Sequence, residues 1–149
     1  MMRAVVVVGA LLLGVGAVMA QQDIAVQQDN LMRGLAKNLY GPISKIVKGD
    51  SAYDQVVVNT AIAELEAGVA KIPVVFTPNP KENVVNSSYG SSQKIWQNKA
   101  DFDSKAQPVA KAIADAKAKI KDLATLKAAY ASINNSCDGC HETYRIKLK

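Results

Sequence analysis

The chain has 149 residues, a formal net charge of +5, two cysteines and one histidine, which is enough sequence for one domain. The basic balance is too mild to indicate a nucleic-acid partner, and two cysteines with one histidine fall short of the four ligands of a structural zinc site. Abundant alanine and lysine with few aromatic residues favour an all-α protein over a sheet protein.

The N-terminal residues have the pattern of an export signal. Arg3 supplies a positive charge, residues 4–18 are apolar and uncharged, and Val18-Met19-Ala20 follows as a signal-peptidase site. The apolar stretch is short for a membrane span and contains two glycines. We therefore predict a signal peptide over residues 1–20 and a mature domain over residues 21–149, with a membrane anchor as the alternative interpretation.

Three helices are predicted next, from apolar residues spaced three and four apart. These residues are Met32, Leu35, Leu39, Ile43 and Ile46 in the first helix, Val58, Ile62, Leu65, Val69 and Ile72 in the second, and Phe102, Ala106, Val109, Ile113, Ala116 and Ile120 in the third. Gly49-Asp50-Ser51 is predicted to separate the first two helices, and Pro73 to stop the second. Pro42 and Pro108 lie inside helical patterns, where we expect them to kink or interrupt the helix.

A long loop and a fourth helix complete the predicted fold. Residues 73–93 are rich in proline, asparagine, serine and glycine, which indicates an irregular crossover loop between the second and third helices. Asp122 is a suitable N-cap for the fourth helix, and the apolar spacing then continues at Leu123, Leu126, Tyr130, Ile133, Cys137, Cys140 and Tyr144. Together the four stripes predict an antiparallel four-helix bundle.

The fourth helix carries the most specific motif, Cys137-Asp138-Gly139-Cys140-His141, which is the C-x-x-C-H attachment pattern of a c-type haem. Each cysteine can form a thioether with one haem vinyl group, and the histidine can bind the iron. On a helix all three side chains project from one face. The cysteines fall on the inward stripe, so we predict one covalently attached haem c per chain inside the bundle. Export agrees with this, because bacteria attach c-type haem outside the cytoplasm.

Other uses of the cysteine pair fit less well. A thioredoxin-like redox centre expects a βαβ context, and no convincing alternating strand pattern precedes Cys137. A structural disulfide is poorly suited to a three-residue step along a helix. Haem attachment is therefore the favoured interpretation of the motif.

This arrangement, four helices with C-x-x-C-H near the end of the last, resembles the class II c-type cytochromes, the cytochrome c′ and cytochrome c-556 family. The resemblance covers essentially the whole mature chain. It rests on the haem motif with the adjoining Tyr144-Arg145, and on Lys94-Ile95-Trp96, Lys48-Gly49, and Asp122-Leu123 with Thr125-Leu126-Lys127. The motif position argues against most class I cytochromes c, which carry it near the N-terminus.

The resemblance implies two alternatives for the sixth position on the iron. In cytochrome c′ an apolar side chain crowds a vacant position, and high-spin iron binds nitric oxide or carbon monoxide. In the c-556 type a methionine from the first helix completes a low-spin iron that transfers electrons. Met32 is the one methionine left after the predicted cleavage. Counted back from Lys48-Gly49, it lies within about one residue of the family's ligand position. Core filling and a lysine ligand are the alternatives to Met32 as ligand.

We therefore predict a periplasmic electron carrier, not an enzyme, with His141 and Met32 as axial ligands. It would exchange electrons with redox partner proteins, without nucleic acid or stable membrane insertion, and a homodimer is left open. The alternatives are a five-coordinate cytochrome c′ that binds gases and a haem enzyme, for which the sequence offers no distal histidine. The resemblance also implies that Arg145 lies near the proximal face or a haem propionate, the alternative being a solvated residue. Trp96 is expected to seal the core.

Overall fold

The computed structural model describes the backbone of residues 6–148 and the side chains of residues 22–148. Its elements in chain order are α1 (Val6–Asn38), a π-helical turn (Leu39–Ile43), α2 (Ser44–Lys48), α3 (Gln55–Val69), α4 (Ile72–Val75), β1 (Tyr89–Ser91), α5 (Lys94–Gln97), α6 (Lys99–Lys119), α7 (Leu123–Tyr144) and β2 (Arg145–Lys147). No helix in this described part of the chain is long and apolar enough to cross a membrane.

Four long helical segments pack around one core, which confirms the predicted four-helix bundle. The first segment runs from α1 through the π turn into α2, and the others are α3, α6 and α7. α1 contacts α3, α3 contacts α6, α6 contacts α7, and α7 contacts α2. Most residues of the predicted stripes are buried in this core, including Ile43, Val58, Ile113, Leu126 and Ile133. The helices form because burying these stripes removes apolar surface from water.

The predicted signal peptide stays a prediction. Residues 1–5 lie outside the described residues, as do the side chains of residues 6–21. The backbone of α1 is helical through the predicted cleavage point after Ala20. The division of the chain into residues 1–20 and 21–149 is therefore not tested by the fold.

Of the predictions for three prolines, the stop at Pro73 is wrong, whereas a π turn interrupts the α-helix at Pro42 and no interruption of α6 is seen at Pro108. Pro42 lies inside a π-helical turn that keeps the first segment helical, because the wider turn accommodates a residue that lacks an N–H group. Pro108 lies within the unbroken α6. Pro73 does not stop the second helix. α3 already ends at Val69, and Pro73 occupies the first turn of α4, where a missing N–H group has no consequence. The predicted break at Gly49 is confirmed by its left-handed φ of 87°.

The predicted irregular crossover contains a short strand that the sequence pattern did not indicate. β1 pairs antiparallel with β2, with Gly90 opposite Ile146. Ser91 N–H donates to Asn83 Oδ1 at 2.7 Å, and a Cβ at position 90 would overlap the Asn83 side chain. Gly90 therefore allows the Asn83 side chain to approach β1 closely enough to accept this hydrogen bond, which stabilises the crossover. Leu148 N–H donates to the Ser88 carbonyl at 3.0 Å, extending the connection to the C-terminus.

A capping box begins α7, the helix that carries the haem motif. Asp122 Oδ1 accepts a hydrogen bond from the Thr125 N–H at 2.8 Å, and Thr125 Oγ1 accepts one from the Asp122 N–H at 3.1 Å. The predicted N-cap is thereby confirmed. α7 runs without interruption to Tyr144, so the C-x-x-C-H residues lie on its last turns and one helix fixes their relative positions.

Candidate functional site

The bundle encloses a cavity of about 450 Å³, within the range of roughly 300–1,000 Å³ that is typical of small-molecule and cofactor sites. Its walls come from all four bundle segments and from the crossover. Most of its lining is apolar, and the buried apolar residues include Leu39, Leu65, Val69, Ile72, Phe102, Val109, Ile113 and Ile133. Such walls suit a large, mostly apolar group.

The side chains predicted for the site line this cavity together. Cys137, Cys140 and His141 reach it from α7, and Met32 reaches it from α1. All four are partly buried, and Cys137 and Cys140 are not joined by a disulfide. Two attachment sulfurs, one imidazole and one thioether thus meet in a single space, supplied by two different helices.

Burial favours the uncharged forms of the two thiols and the imidazole. It is the main cause that raises the pKa of the Cys137 thiol to about 11, with smaller contributions from Asp138 and Cys140. Burial also raises the pKa of Cys140. The pKa of His141 is lowered, first by burial and then by the positive charge of Arg145. A neutral imidazole retains the nitrogen lone pair that a metal requires.

The π turn lies between Met32 and Lys48, the two points that relate this helix to the family pattern. A π turn closes hydrogen bonds from residue i to i+5, so it holds about one residue more than an α turn. Upstream of the turn, α1 presents Met32 to the cavity.

Charged residues occupy part of the cavity lining. Arg33 pairs with Asp29 at 2.5 Å and donates to Ser87 Oγ at 3.3 Å. Arg145 lies over the Tyr89 ring, with its guanidinium carbon 4.5 Å from the ring centroid. Arg33 and Arg145 are solvent-exposed yet also line the cavity, as does Asp29, so the mostly apolar space has a polar, charged edge that includes two arginines.

Two polar residues near the site were not indicated by the sequence. Gln28 is 2% exposed, lines the cavity, and its amide donates to the carbonyls of Val75 at 3.2 Å and Pro78 at 3.0 Å. Asp101 accepts a hydrogen bond from the hydroxyl of the buried Tyr144. Both contacts join residues more than forty positions apart, and no local pattern could have shown them.

Trp96 lies outside the cavity lining. Its indole N–H donates to the Phe76 carbonyl at 3.0 Å, and its ring packs against the core. This position agrees with the expected role of sealing the core next to α6.

The donor set and the lining of the cavity fit a haem. The macrocycle is apolar and carries two carboxylates at one edge, which matches apolar walls with the charged edge that includes Arg33 and Arg145. The thiols of Cys137 and Cys140 lie on the same helix face as His141, the arrangement that two thioethers and one axial nitrogen require.

Comparison with known proteins gives a consistent result. The Cytochrome C′ family model matches residues 23–145. The chain is 62% identical to cytochrome c-555 of Bradyrhizobium diazoefficiens, over the whole of both chains. It is 40% identical to cytochrome c-556 of Rhodopseudomonas palustris, over 99% of each chain. Among solved structures, the nitric oxide complex of a variant of cytochrome c prime from Alcaligenes xylosoxidans matches with a TM-score of 0.73 at 25% identity. That match covers 86% of this chain and 97% of the other.

Proposed function

The chain belongs to the cytochrome c′ family of c-type cytochromes, and from this premise we propose a low-spin electron carrier with one covalent haem and with His141 and Met32 as axial ligands. Family membership alone implies a haem and supports electron transport. The ligand pair is the finer statement. One observation carries it: the Met32 side chain and the His141 imidazole line the same cavity, from different helices.

Each site residue has a distinct role in this proposal. Cys137 and Cys140 would tether the haem through thioethers, and His141 would bind the iron through its neutral imidazole. Haem, when bound, supplies a one-electron iron couple. The soft thioether of Met32 would favour the reduced state and raise the reduction potential relative to a harder ligand.

The rest of the cavity would keep the site dry and rigid. Apolar side chains such as Val69, Phe102 and Ile113 exclude water, and a low local dielectric also disfavours the additional positive charge of the oxidised state. Both axial ligands are on helices of one packed core. The positions of Met32 and His141 would therefore change little between redox states, which keeps the barrier to electron transfer small.

The charged edge of the cavity gives the haem one preferred orientation in this proposal. Arg33 and Arg145 would face the haem carboxylates, because guanidinium groups form strong charge-assisted hydrogen bonds with carboxylates. Arg33 is already held by Asp29 and Ser87, which orients its guanidinium before the haem binds.

The proposal includes a periplasmic location and redox partner proteins. The N-terminal pattern of Arg3, an apolar stretch and Val18-Met19-Ala20 supports export. Covalent haem attachment in bacteria takes place outside the cytoplasm, so the location and the C-x-x-C-H motif support each other. The electron acceptor and donor would be proteins that approach the exposed edge of the haem site.

A gas-binding cytochrome c′ is the second candidate. The similar cytochrome c prime from Alcaligenes xylosoxidans binds nitric oxide in the structure named above. In that case Met32 would remain near the iron without bonding to it, as an ordinary core residue. The two candidates differ in whether the sixth position on the iron is open to a small gas.

Carbon monoxide binding to the reduced holo-protein distinguishes the candidates. We would compare the wild-type protein with Met32→Ala and with Leu31→Ala, a control that truncates a neighbouring core side chain outside the cavity lining. The carrier proposal predicts that only Met32→Ala binds carbon monoxide readily, because only that variant opens the sixth position. If the wild-type protein binds the gas as tightly as Met32→Ala, Met32 is not a ligand and the gas-binding candidate replaces the carrier.

A further inference from the structure

The contact between Tyr144 and Asp101 lies directly beside the haem-binding residues. Tyr144 is 4% exposed, forms the last residue of α7, and lines the cavity. Its hydroxyl donates a hydrogen bond to Asp101 Oδ2, in the first turn of α6. In sequence, Tyr144 follows Cys140 by four residues and His141 by three, so it lies one helical turn beyond both.

The Tyr144 ring and backbone have contacts of their own, which separates them from the role of the hydroxyl. The ring meets Phe102 edge to face, with centroids 5.2 Å apart, and the Tyr144 carbonyl accepts a hydrogen bond from the Ser92 N–H at 2.9 Å. A phenylalanine at this position would retain both contacts. Of the Tyr144 contacts described here, such a variant would lose the hydrogen bond to Asp101.

The carboxylate of Asp101 belongs to none of the ion pairs formed by the side chains of residues 22–148. The hydrogen bond from Tyr144 is therefore its specific stabilising contact. The same bond is the largest cause that raises the pKa of Tyr144 to about 12, so the phenol stays protonated and remains a donor.

A fixed negative charge near a haem stabilises the oxidised iron and lowers the reduction potential, and a hydrogen bond to that charge weakens its effect. We propose that Tyr144 and Asp101 form a pair that tunes the potential of the haem iron, with Asp101 supplying the charge and the Tyr144 hydroxyl holding and partly dispersing it. The inference rests on the haem site of the proposed function, and it does not depend on Met32 being a ligand.

Reduction potentials of four holo-proteins test the pair: wild type, Tyr144→Phe, Asp101→Asn and the double variant. Asp101→Asn removes the charge but keeps an oxygen that can accept from Tyr144, so its potential should rise. Tyr144→Phe leaves the charge without its donor, so its potential should fall. In the Asp101→Asn background, Tyr144→Phe should have a much smaller effect, because the charge through which it acts is gone.

Opposite signs are the essential result, because two variants that merely loosen the end of α7 would shift the potential in the same direction. Shifts of one sign, an undiminished Tyr144→Phe effect in the Asp101→Asn background, or no shift in either variant would each overturn the proposal. Should Tyr144→Phe fail to hold haem, the rise expected for Asp101→Asn keeps the test decisive, because a fall or no shift in that variant alone would overturn the proposal. The measurement is repeated in Met32→Ala protein. Persistence of the opposite shifts there would separate this pair from any failure of the Met32 assignment.

Discussion

Gly68 lies where α3 packs tightly against α1, and its replacement by alanine is a sensitive test of the packing around the site. A Cβ at position 68 would lie 2.6 Å from Leu35 Cδ2 and 3.3 Å from Leu35 Cγ. Ordinary contacts between carbon atoms are about 3.5–4.0 Å. Leu35 lines the cavity and lies one turn after Met32, so its displacement would be felt at the proposed ligand.

Two opposing effects set the size of the change. Alanine is favoured over glycine inside a helix by about 0.8–1 kcal/mol, whereas overpacking a core costs about 1–3 kcal/mol. Because the haem would fill the space into which the Leu35 side chain could otherwise move, we expect the overpacking cost to prevail. Gly68→Ala should therefore destabilise the holo-protein by up to about 2 kcal/mol.

A double-mutant cycle measured by urea unfolding of the holo-protein isolates the contact. In a Leu35→Ala background the clashing atoms are absent, so Gly68→Ala should stabilise the protein by up to about 1 kcal/mol. The substitution thus changes sign with the residue at position 35. If Gly68→Ala stabilises the protein equally in both backgrounds, the close approach of α1 and α3 described here is wrong.

Two further predictions concern the N-cap of α7 and Trp96 in α5. The pKa of Asp122 is lowered, first by the hydrogen bond from the Thr125 N–H and then by the one from the Thr125 hydroxyl. The stabilising contribution of Asp122 is therefore present above the unfolded-state pKa and is lost as the pH falls through the folded-state pKa. Urea midpoints measured across acidic pH should fall more steeply in wild type than in Asp122→Asn. Trp96→Phe should cost about 1 kcal/mol through the lost hydrogen bond to Phe76 and leave the haem absorption spectrum unchanged, and a changed spectrum would show that Trp96 contacts the haem.

The long helices and the haem-binding face could be predicted because they depend on local, repeated spacing. The stripes through Val58, Ile113 and Ile133 recur every three to four residues, which only a helix turns into one buried face. The C-x-x-C-H residues are five consecutive positions, so their shared face follows from helix geometry alone. Met32 lies on another helix, and it was predicted from the family resemblance and as the one methionine left after the predicted cleavage, not from local spacing; it lines the same cavity.

Features that depend on distant contacts could not be predicted. β1 and β2 are three residues each, too short for an alternating pattern, and they exist because the crossover lies beside the C-terminus. Asp101 and Gln28 gain their importance from partners far along the chain. The sequence showed Pro42 inside a helix but not how the helix would accommodate it. A kink and a π turn can each accommodate a residue that lacks a backbone N–H group.

The central claim, a Met32 sulfur and a His141 nitrogen on the same iron, is tested most directly by the far-red absorption spectrum of the oxidised wild-type holo-protein. The proposal predicts a low-spin spectrum with a weak sulfur-to-iron charge-transfer band. A high-spin spectrum without that band would contradict the claim and assign Met32 to the core alone.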